Sequence, residues 1–236
     1  MQKVFVITGT RKGIGKFLSE YYLKQGFVVC GCSRKEASIN HKNYRHFELD
    51  VSDEKAVVSM IRQIKKEFNR IDTLINNAGI AAMNHILTTP KSSAQSIFQT
   101  NVIGSFLFLR EVAKVMMKHK DTKNLNIVNF STIATPLRLE GEAIYAASKA
   151  AIINLTQTCA KELAPFNIRV NAIAPTPIKT DLIKNISQEQ IDKLLAKQAL
   201  QRLGEFKDVV NVIDFFIDEK SNFITGQTLY LGGVFE

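Results

Sequence analysis

An α/β fold, with a doubly wound parallel sheet of about seven strands and helices on both faces, is what this 236-residue sequence predicts. Three observations point to it. Short apolar runs alternate with amphipathic helical stripes along the chain. Those runs are apolar at consecutive positions, the pattern of strands buried on both faces. The first run leads at once into a glycine-rich turn and a helix, Thr8-Gly-Thr-Arg-Lys-Gly-Ile-Gly15.

Taken in order, Val4–Ile7 reads as the first strand. Ile14, Leu18, Tyr21 and Tyr22 then share one helical face, which Gly26 can end. Phe27–Cys32 and His46–Val51 read as the second and third strands. Ser52 is placed to cap the next helix, with Asp53 and Glu54 in its first turn and Val57, Ile61, Ile64 and Phe68 on its apolar face. Thr73–Ile75 is the fourth strand, and one long helix runs from about Ser93 to Met117. Asn126–Phe130, Ile168–Ile173 and Gln227–Leu231 complete the strands, with a helix over Ala143–Leu163. No repeat, low-complexity tract or linker interrupts the pattern, so residues 1–236 read as one domain. The polar, Lys- and Gln-rich stretch at about 176–204 reads as a substrate lid.

Composition narrows the function. Hydrophobic residues make up 45% of the chain, enough for a core without disulfides or metal. Cys30, Cys32 and Cys159 are odd in number and lack C-x-x-C spacing, so they read as buried thiols, and no metal site is expected. The first strand begins so early that no signal peptide is expected, and no apolar stretch is long enough to span a membrane. A soluble cytoplasmic protein is the expectation. The net charge of +9 is scattered, so nucleic acid is not the expected partner. The densest cations are Lys114, Lys118, Lys120 and Lys123, a group that suits an anionic cofactor or an acidic partner.

A strand, a glycine turn and a helix open a dinucleotide-binding fold. Gly9 permits the tight turn, Gly13 lets backbone approach a pyrophosphate, and Gly15 allows close helix–strand contact, with Ile14 between them. The helix N-terminus offers N–H groups and a positive dipole end to the anion. The second strand ends Cys32-Ser33-Arg34-Lys35, without the acid that holds the ribose hydroxyls of NAD. Arg34, joined by Arg11 or Lys12, suits a 2′-phosphate instead, so NADP(H) is the expected cofactor.

The ordered motifs resemble the short-chain dehydrogenase/reductases over nearly the whole chain, which implies a Rossmann-like sheet. They are T-G-x-x-x-G-x-G at Thr8–Gly15, Leu49-Asp50-Val51, Asn76-Asn77-Ala78-Gly79, Asn101 in N-V-x-G, Tyr145-Ala-Ala-Ser-Lys149, Arg169-Val-Asn171, the turn from Pro175, Thr225-Gly226-Gln227 and Gly232-Gly233. The resemblance implies that Asp50, beside Val51, accepts from the adenine amine. It implies that Asn77, Ala78 and Gly79 line the cofactor, and that Ile178 and Thr180 meet its carboxamide and phosphates. Tyr145 and Lys149 lie four apart on one helix face, and a neighbouring ammonium is expected to lower the phenol pKa into the working range. In the family the lysine also holds the nicotinamide ribose, the tyrosine protonates a carbonyl, and the asparagine at Asn101 holds a water linking Lys149 to solvent.

The family's substrate-orienting serine lies thirteen residues before the tyrosine. Here that position is Thr132, and Ser131 beside it is the alternative. Thr176 stands where the family has glycine, which is expected to narrow the nicotinamide side. The stretch from Arg34 to Asp50 is short for the family, so a connecting helix is reduced or missing. The implied function is NADPH-dependent reduction of a small carbonyl. The nearest resemblance is to 3-oxoacyl-(acyl-carrier-protein) reductases, with an acyl carrier protein as a partner for the Lys114–Lys123 group. The alternatives are a sugar or other small-alcohol dehydrogenase, or a non-catalytic NADP-binding subunit. The resemblance also implies a homotetramer formed through the two long helices and the last strand.

Overall fold

The computed structural model describes residues 2–119, 124–180 and 188–233. Seven parallel strands lie in the order β3-β2-β1-β4-β5-β6-β7. They are β1 (Val4–Thr8), β2 (Val28–Ser33), β3 (Tyr44–Glu48), β4 (Thr73–Asn76), β5 (Leu125–Phe130), β6 (Ile168–Ala174) and β7 (Thr228–Tyr230). The order reverses between β1 and β4, which opens a crevice at the carboxyl ends of those two strands.

Consecutive residues of β1 face opposite sides, so both must be apolar. Val4 and Val6 join a core with Cys30, Cys32 and Leu74, and Phe5 and Ile7 join another with Val29, Ile75 and Val128. The first core is closed by α2 (Glu54–Phe68), α4 (Gly104–Met116) and α6 (Ala143–Leu163); the second by α1 (Gly13–Lys24) and α8 (Phe206–Ile217). All three thiols are free and buried. Among the described residues no helix is long and apolar enough to cross a membrane, and no group of three His, Cys, Asp or Glu is gathered to hold a metal ion.

The structure departs from the sequence reading in four places. The third strand starts two residues earlier and stops at Glu48, which leaves Asp50 and Val51 in the turn beyond it. Asp53, not Ser52, caps α2: its carboxylate accepts from the Ala56 N–H at 3.1 Å. Ser52 is used elsewhere, donating through N–H and hydroxyl to Asp50 Oδ1 at 2.9 and 2.7 Å. The single long helix is α3 (Lys91–Phe98), a π-helical turn over Gln99–Ile103, and α4. Finally, α8 and the shorter α5 (Ala134–Leu137) and α7 (Gln188–Leu195) were not expected. Between β2 and β3 no helix forms, as the short spacing predicts.

Candidate active site

The crevice is built from chain ends that run out of the sheet. At its floor Asn77 Nδ2 donates to the Thr8 carbonyl at 2.9 Å, and the Ala78 N–H donates to Thr8 Oγ1 at 2.9 Å, so the ends of β1 and β4 are tied together. The glycine turn rests on this tie. A Cβ on Gly15 would lie 2.3 Å from the Gly9 carbonyl oxygen and 2.5 Å from Asn77 Nδ2, so no side chain fits there. Helix α1 begins at Gly13 with no side-chain cap and no acid in its first turn, which leaves its N–H groups to an anion. Thr180 reaches this turn: its Cγ2 would lie 3.7 Å from a Cβ on Gly13.

At the end of β2, Arg34 and Lys35 are exposed, as are Arg11 and Lys12 of the turn. Asp50 stands nearby. Burial pushes its carboxyl up, but the two hydrogen bonds from Ser52 and the Arg34 guanidinium outweigh that and hold it below the ordinary value. Arg34 and Asp50 therefore meet beside the end of β2.

At the carboxyl end of β5, Ser131 and Thr132 are both buried and diverge. Ser131 Oγ donates to the Lys149 carbonyl at 3.2 Å, which ties β5 to α6. The Thr132 hydroxyl accepts from the Ala134 N–H at 3.3 Å and lies near enough to the Tyr145 phenol to lower its pKa. Lys149 is buried, and its Nζ donates to the Phe130 carbonyl at 2.8 Å. A Cβ on Gly79 would lie 3.4 Å from Lys149 Nζ and 3.3 Å from Asn101 Oδ1, so these groups share one wall.

Asn101 is fully buried in the π-helical turn. Its side chain donates to the Ile80 carbonyl at 3.0 Å and to Ser148 Oγ at 3.0 Å, and accepts from the Ile80 N–H at 2.9 Å. One extra residue in the helix turns this amide inward, a use common to π-bulges at functional sites.

The electrostatics correct one expectation. Burial pushes the Tyr145 phenol up to about 12, the Glu142 carboxylate one turn earlier adds to the rise, and the Thr132 hydrogen bond opposes it. The phenol is thus not lowered into the neutral range, and the Lys149 ammonium, which donates to the Phe130 carbonyl, is itself pulled down to about 8 by burial. Glu142 was not foreseen. It is partly buried and burial raises its carboxyl pKa. The sequence signal was available: an acid three residues before the tyrosine of a helix shares its face.

Three other expectations are placed by the fold. Pro175 lies at the end of β6, with its carbonyl accepting from the Ile133 N–H at 3.3 Å. Thr176 is buried against Gly204 and Gly232, so its methyl packs toward the last strand and the 204 turn; Ile178 packs against Gly204 as well. Of the expected lid, 181–187 lie outside the described residues, and α7 forms part of the rest.

The basic group does not face the crevice. Helix α4 runs back along the sheet and ends before β5 begins, so Lys114 and Lys118 sit at the opposite edge from Tyr145. There Lys118 lies close enough to Lys65 to lower its pKa. Lys120 and Lys123 lie outside the described residues.

A family model described as enoyl-(acyl carrier protein) reductase matches residues 9–234. The 3-oxoacyl-(acyl-carrier-protein) reductase FabG of Vibrio cholerae is 30% identical over 237 residues, 98% of this chain and 96% of its own length. The same-named protein of Staphylococcus epidermidis is 31% identical over 243 residues, 99% of this chain and 98% of its own length. Among solved structures, ElxO with NADP bound superposes with a TM-score of 0.88 at 35% identity, covering 98% of this chain and 97% of that one. The ligand-free aldohexose dehydrogenase of Thermoplasma acidophilum gives 0.89 at 28% identity, over 98% and 93%.

Proposed function

We propose a reaction from one premise: this chain belongs to the short-chain dehydrogenase/reductase family. It is an NADP-dependent oxidoreductase that interconverts a carbonyl and an alcohol. The observation that carries the reading is the meeting of Thr132, Tyr145 and Lys149 at the end of β5, across the crevice from an uncapped helix N-terminus.

The residues present fit a dinucleotide, since the Gly9–Gly15 approach leaves bare backbone where its phosphates would lie. Gly9, Arg11, Lys12, Gly13, Ile14 and Gly15 hold the pyrophosphate, and Ser33 and Arg34 hold the 2′-phosphate. Asp50 and Val51 meet the adenine, Asn77, Ala78 and Gly79 line the middle, and Lys149 holds the ribose. Pro175 and Ile178 close the nicotinamide side, and Thr180, against Gly13, meets the phosphates. The bound nicotinamide contributes the hydride.

Tyr145 gives its proton to the carbonyl oxygen. A phenol held near 12 keeps that proton throughout the neutral range, the state reduction needs. The Thr132 hydroxyl, close by the phenol, donates to the same oxygen and orients it. Asn101, on the wall of Lys149, resupplies the proton through water. A 3-oxoacyl thioester is the substrate, covered by a lid at about 176–204, and the chain assembles as a homotetramer. A carrier protein, if it delivers that thioester, docks on the crevice side and not on Lys114 and Lys118.

Glu142 favours a second reading. A partly buried carboxylate one turn from the tyrosine suits a substrate rich in hydroxyl donors, such as a sugar. The test is to add an acetoacetyl thioester, and separately a panel of aldoses, to protein with NADPH or NADP⁺ and follow absorbance at about 340 nm. Turnover of the thioester, abolished in Tyr145→Phe, supports the first reading. Turnover of aldoses alone replaces it with the second. Tight NADPH binding with no turnover of either overturns both in favour of a non-catalytic subunit.

A further inference from the structure

At the adenosine end of the crevice a chain of hydrogen bonds joins the glycine turn to the tip of β2. Thr10 Oγ1 and Tyr44 Oη are 2.8 Å apart, and Tyr44 Oη and His46 Nδ1 are 2.9 Å apart. His46 Nε2 lies 3.2 Å from the Lys35 carbonyl oxygen and 3.2 Å from Ser33 Oγ, and Ser33 Oγ donates to the same carbonyl at 2.5 Å. Thr10 is fully buried, and Tyr44 stacks on His46 with ring centroids 5.9 Å apart.

The direction of this chain follows from its ends. A carbonyl only accepts, so Nε2 of the imidazole carries the proton toward Lys35. A neutral ring then accepts at Nδ1, which makes Tyr44 the donor there and gives the Thr10 proton to Tyr44 at 2.8 Å over the Cys32 carbonyl, its other acceptor, at 3.4 Å. Burial holds the Tyr44 phenol protonated, with a pKa of about 12, against the pull of the Thr10 hydrogen bond. The chain also explains Gly31 of β2. A Cβ there would lie 2.4 Å from Tyr44 Oη and 2.6 Å from Thr10 Oγ1, so any other residue would break the link.

Its two ends are the two walls of one cradle. Thr10 precedes Arg11 and Lys12 in the glycine turn, and Ser33 to Lys35 carry the cations that replace the usual ribose-binding acid. We propose that Tyr44 and His46 are positioning residues for the cofactor's ribose 2′-phosphate: they set the Ser33–Lys35 turn against the glycine turn at the separation a phosphate needs. Neither residue touches the phosphate; they act through Ser33 and Arg34. The proposal rests on the NADP reading above and deepens it.

A merely structural role would hold β3 on β2 and affect every adenine nucleotide alike. The experiment is therefore calorimetric titration with adenosine 2′,5′-bisphosphate and with AMP, which differ only in the 2′-phosphate. In His46→Leu the bisphosphate binds roughly tenfold more weakly, the scale of one positioned hydrogen bond, and AMP changes by less than about twofold. His46→Gln, whose amide can still donate to the Lys35 carbonyl, recovers part of the preference. Tyr44→Phe, which keeps the ring and removes only the middle hydroxyl, shows the same selective loss and decides the matter should His46→Leu fail to fold. Equal weakening of both nucleotides, or of neither, overturns the positioning role and leaves the NADP reading standing. A wild-type protein that binds AMP as tightly as the bisphosphate overturns the NADP reading and the positioning role with it.

Discussion

Thr132 and Lys149 set what single residues contribute. The Thr132 hydroxyl lies near enough to the Tyr145 phenol to lower its pKa, whereas the Ser131 hydroxyl is occupied with the Lys149 backbone. Thr132→Val keeps the shape and removes the hydroxyl, and is expected to lower kcat by about a hundredfold in steady-state kinetics. Ser131→Ala costs about 1 kcal/mol of stability and changes kcat far less; the reverse ranking would make Ser131 the orienting group. Lys149 is a buried ammonium pulled from its ordinary 10.5 to about 8 by desolvation. Below pH 8 both folded and unfolded chains carry the charge, and the fold bears its full desolvation cost. Between about 8 and 10.5 the unfolded chain keeps the proton that the folded chain has lost, so wild-type stability rises with pH. Lys149→Met removes the cost, offset by the Phe130 carbonyl left without its donor. We expect it to be inactive yet more stable at pH 7 by about 2 kcal/mol, with the advantage shrinking toward pH 10.5 in thermal melts. A variant less stable than wild type at pH 7 would show that the hydrogen bond outweighs the desolvation.

Elements show where sequence reasoning reaches and where it stops. The cap of α2 is a choice between neighbours: Ser52 and Asp53 are both good caps, and periodicity cannot say which one the chain turns inward. Asp53→Ala is expected to cost about 1 kcal/mol in urea unfolding and Ser52→Ala clearly less; equal losses would return Ser52 to the cap. The strands and α6 were legible because both sheet faces are buried and a run such as Val4–Ile7 has no polar position to mislead. The glycine turn and the Tyr145–Lys149 spacing were legible for a like reason, since each is local. What was not legible depends on contacts between distant segments. The π-helical turn exists because Asn101 bonds Ile80 and Ser148, and nothing within Ser93–Met117 announces that partner. Helix α8 has an apolar face in Val209, Val210, Ile213 and Phe216, packed opposite α1, and a capping box in which Glu205 and Asp208 each accept from the other's backbone. Both signals are local and lie within the Glu205–Ile217 sequence itself. The raised phenol of Tyr145 depends on burial, which spacing cannot reveal.

At the scale of the molecule, the outer side of the α3–α4 run is apolar where a lone protein would be polar. Phe98, Ile103 and Phe106 are 37%, 39% and 38% exposed, and Arg110 lies 5.4 Å over the Phe106 ring. Large exposed aromatics grouped on one element mark a surface that another chain covers. On the neighbouring helix α6, Ala147 and Ala150 are exposed, small enough for a second helix to approach closely. These are the two helices expected to form the homotetramer, and they carry Asn101, Tyr145 and Lys149 on their inner sides. A tetramer built on these helices would join assembly to the proposed site: a contact that holds the π-helical turn would also hold Asn101. Ile103→Lys with Phe106→Lys is expected to reduce the mass measured by light scattering from four chains of 26.5 kDa to two or one. If holding the turn matters, kcat falls in the same double variant while its secondary structure is retained, because the freed helix lets Asn101 move from Ile80. A variant that stays tetrameric would place the interface elsewhere. One that dissociates with full activity would separate assembly from the site and leave the π-helical turn held by Ile80 and Ser148 alone.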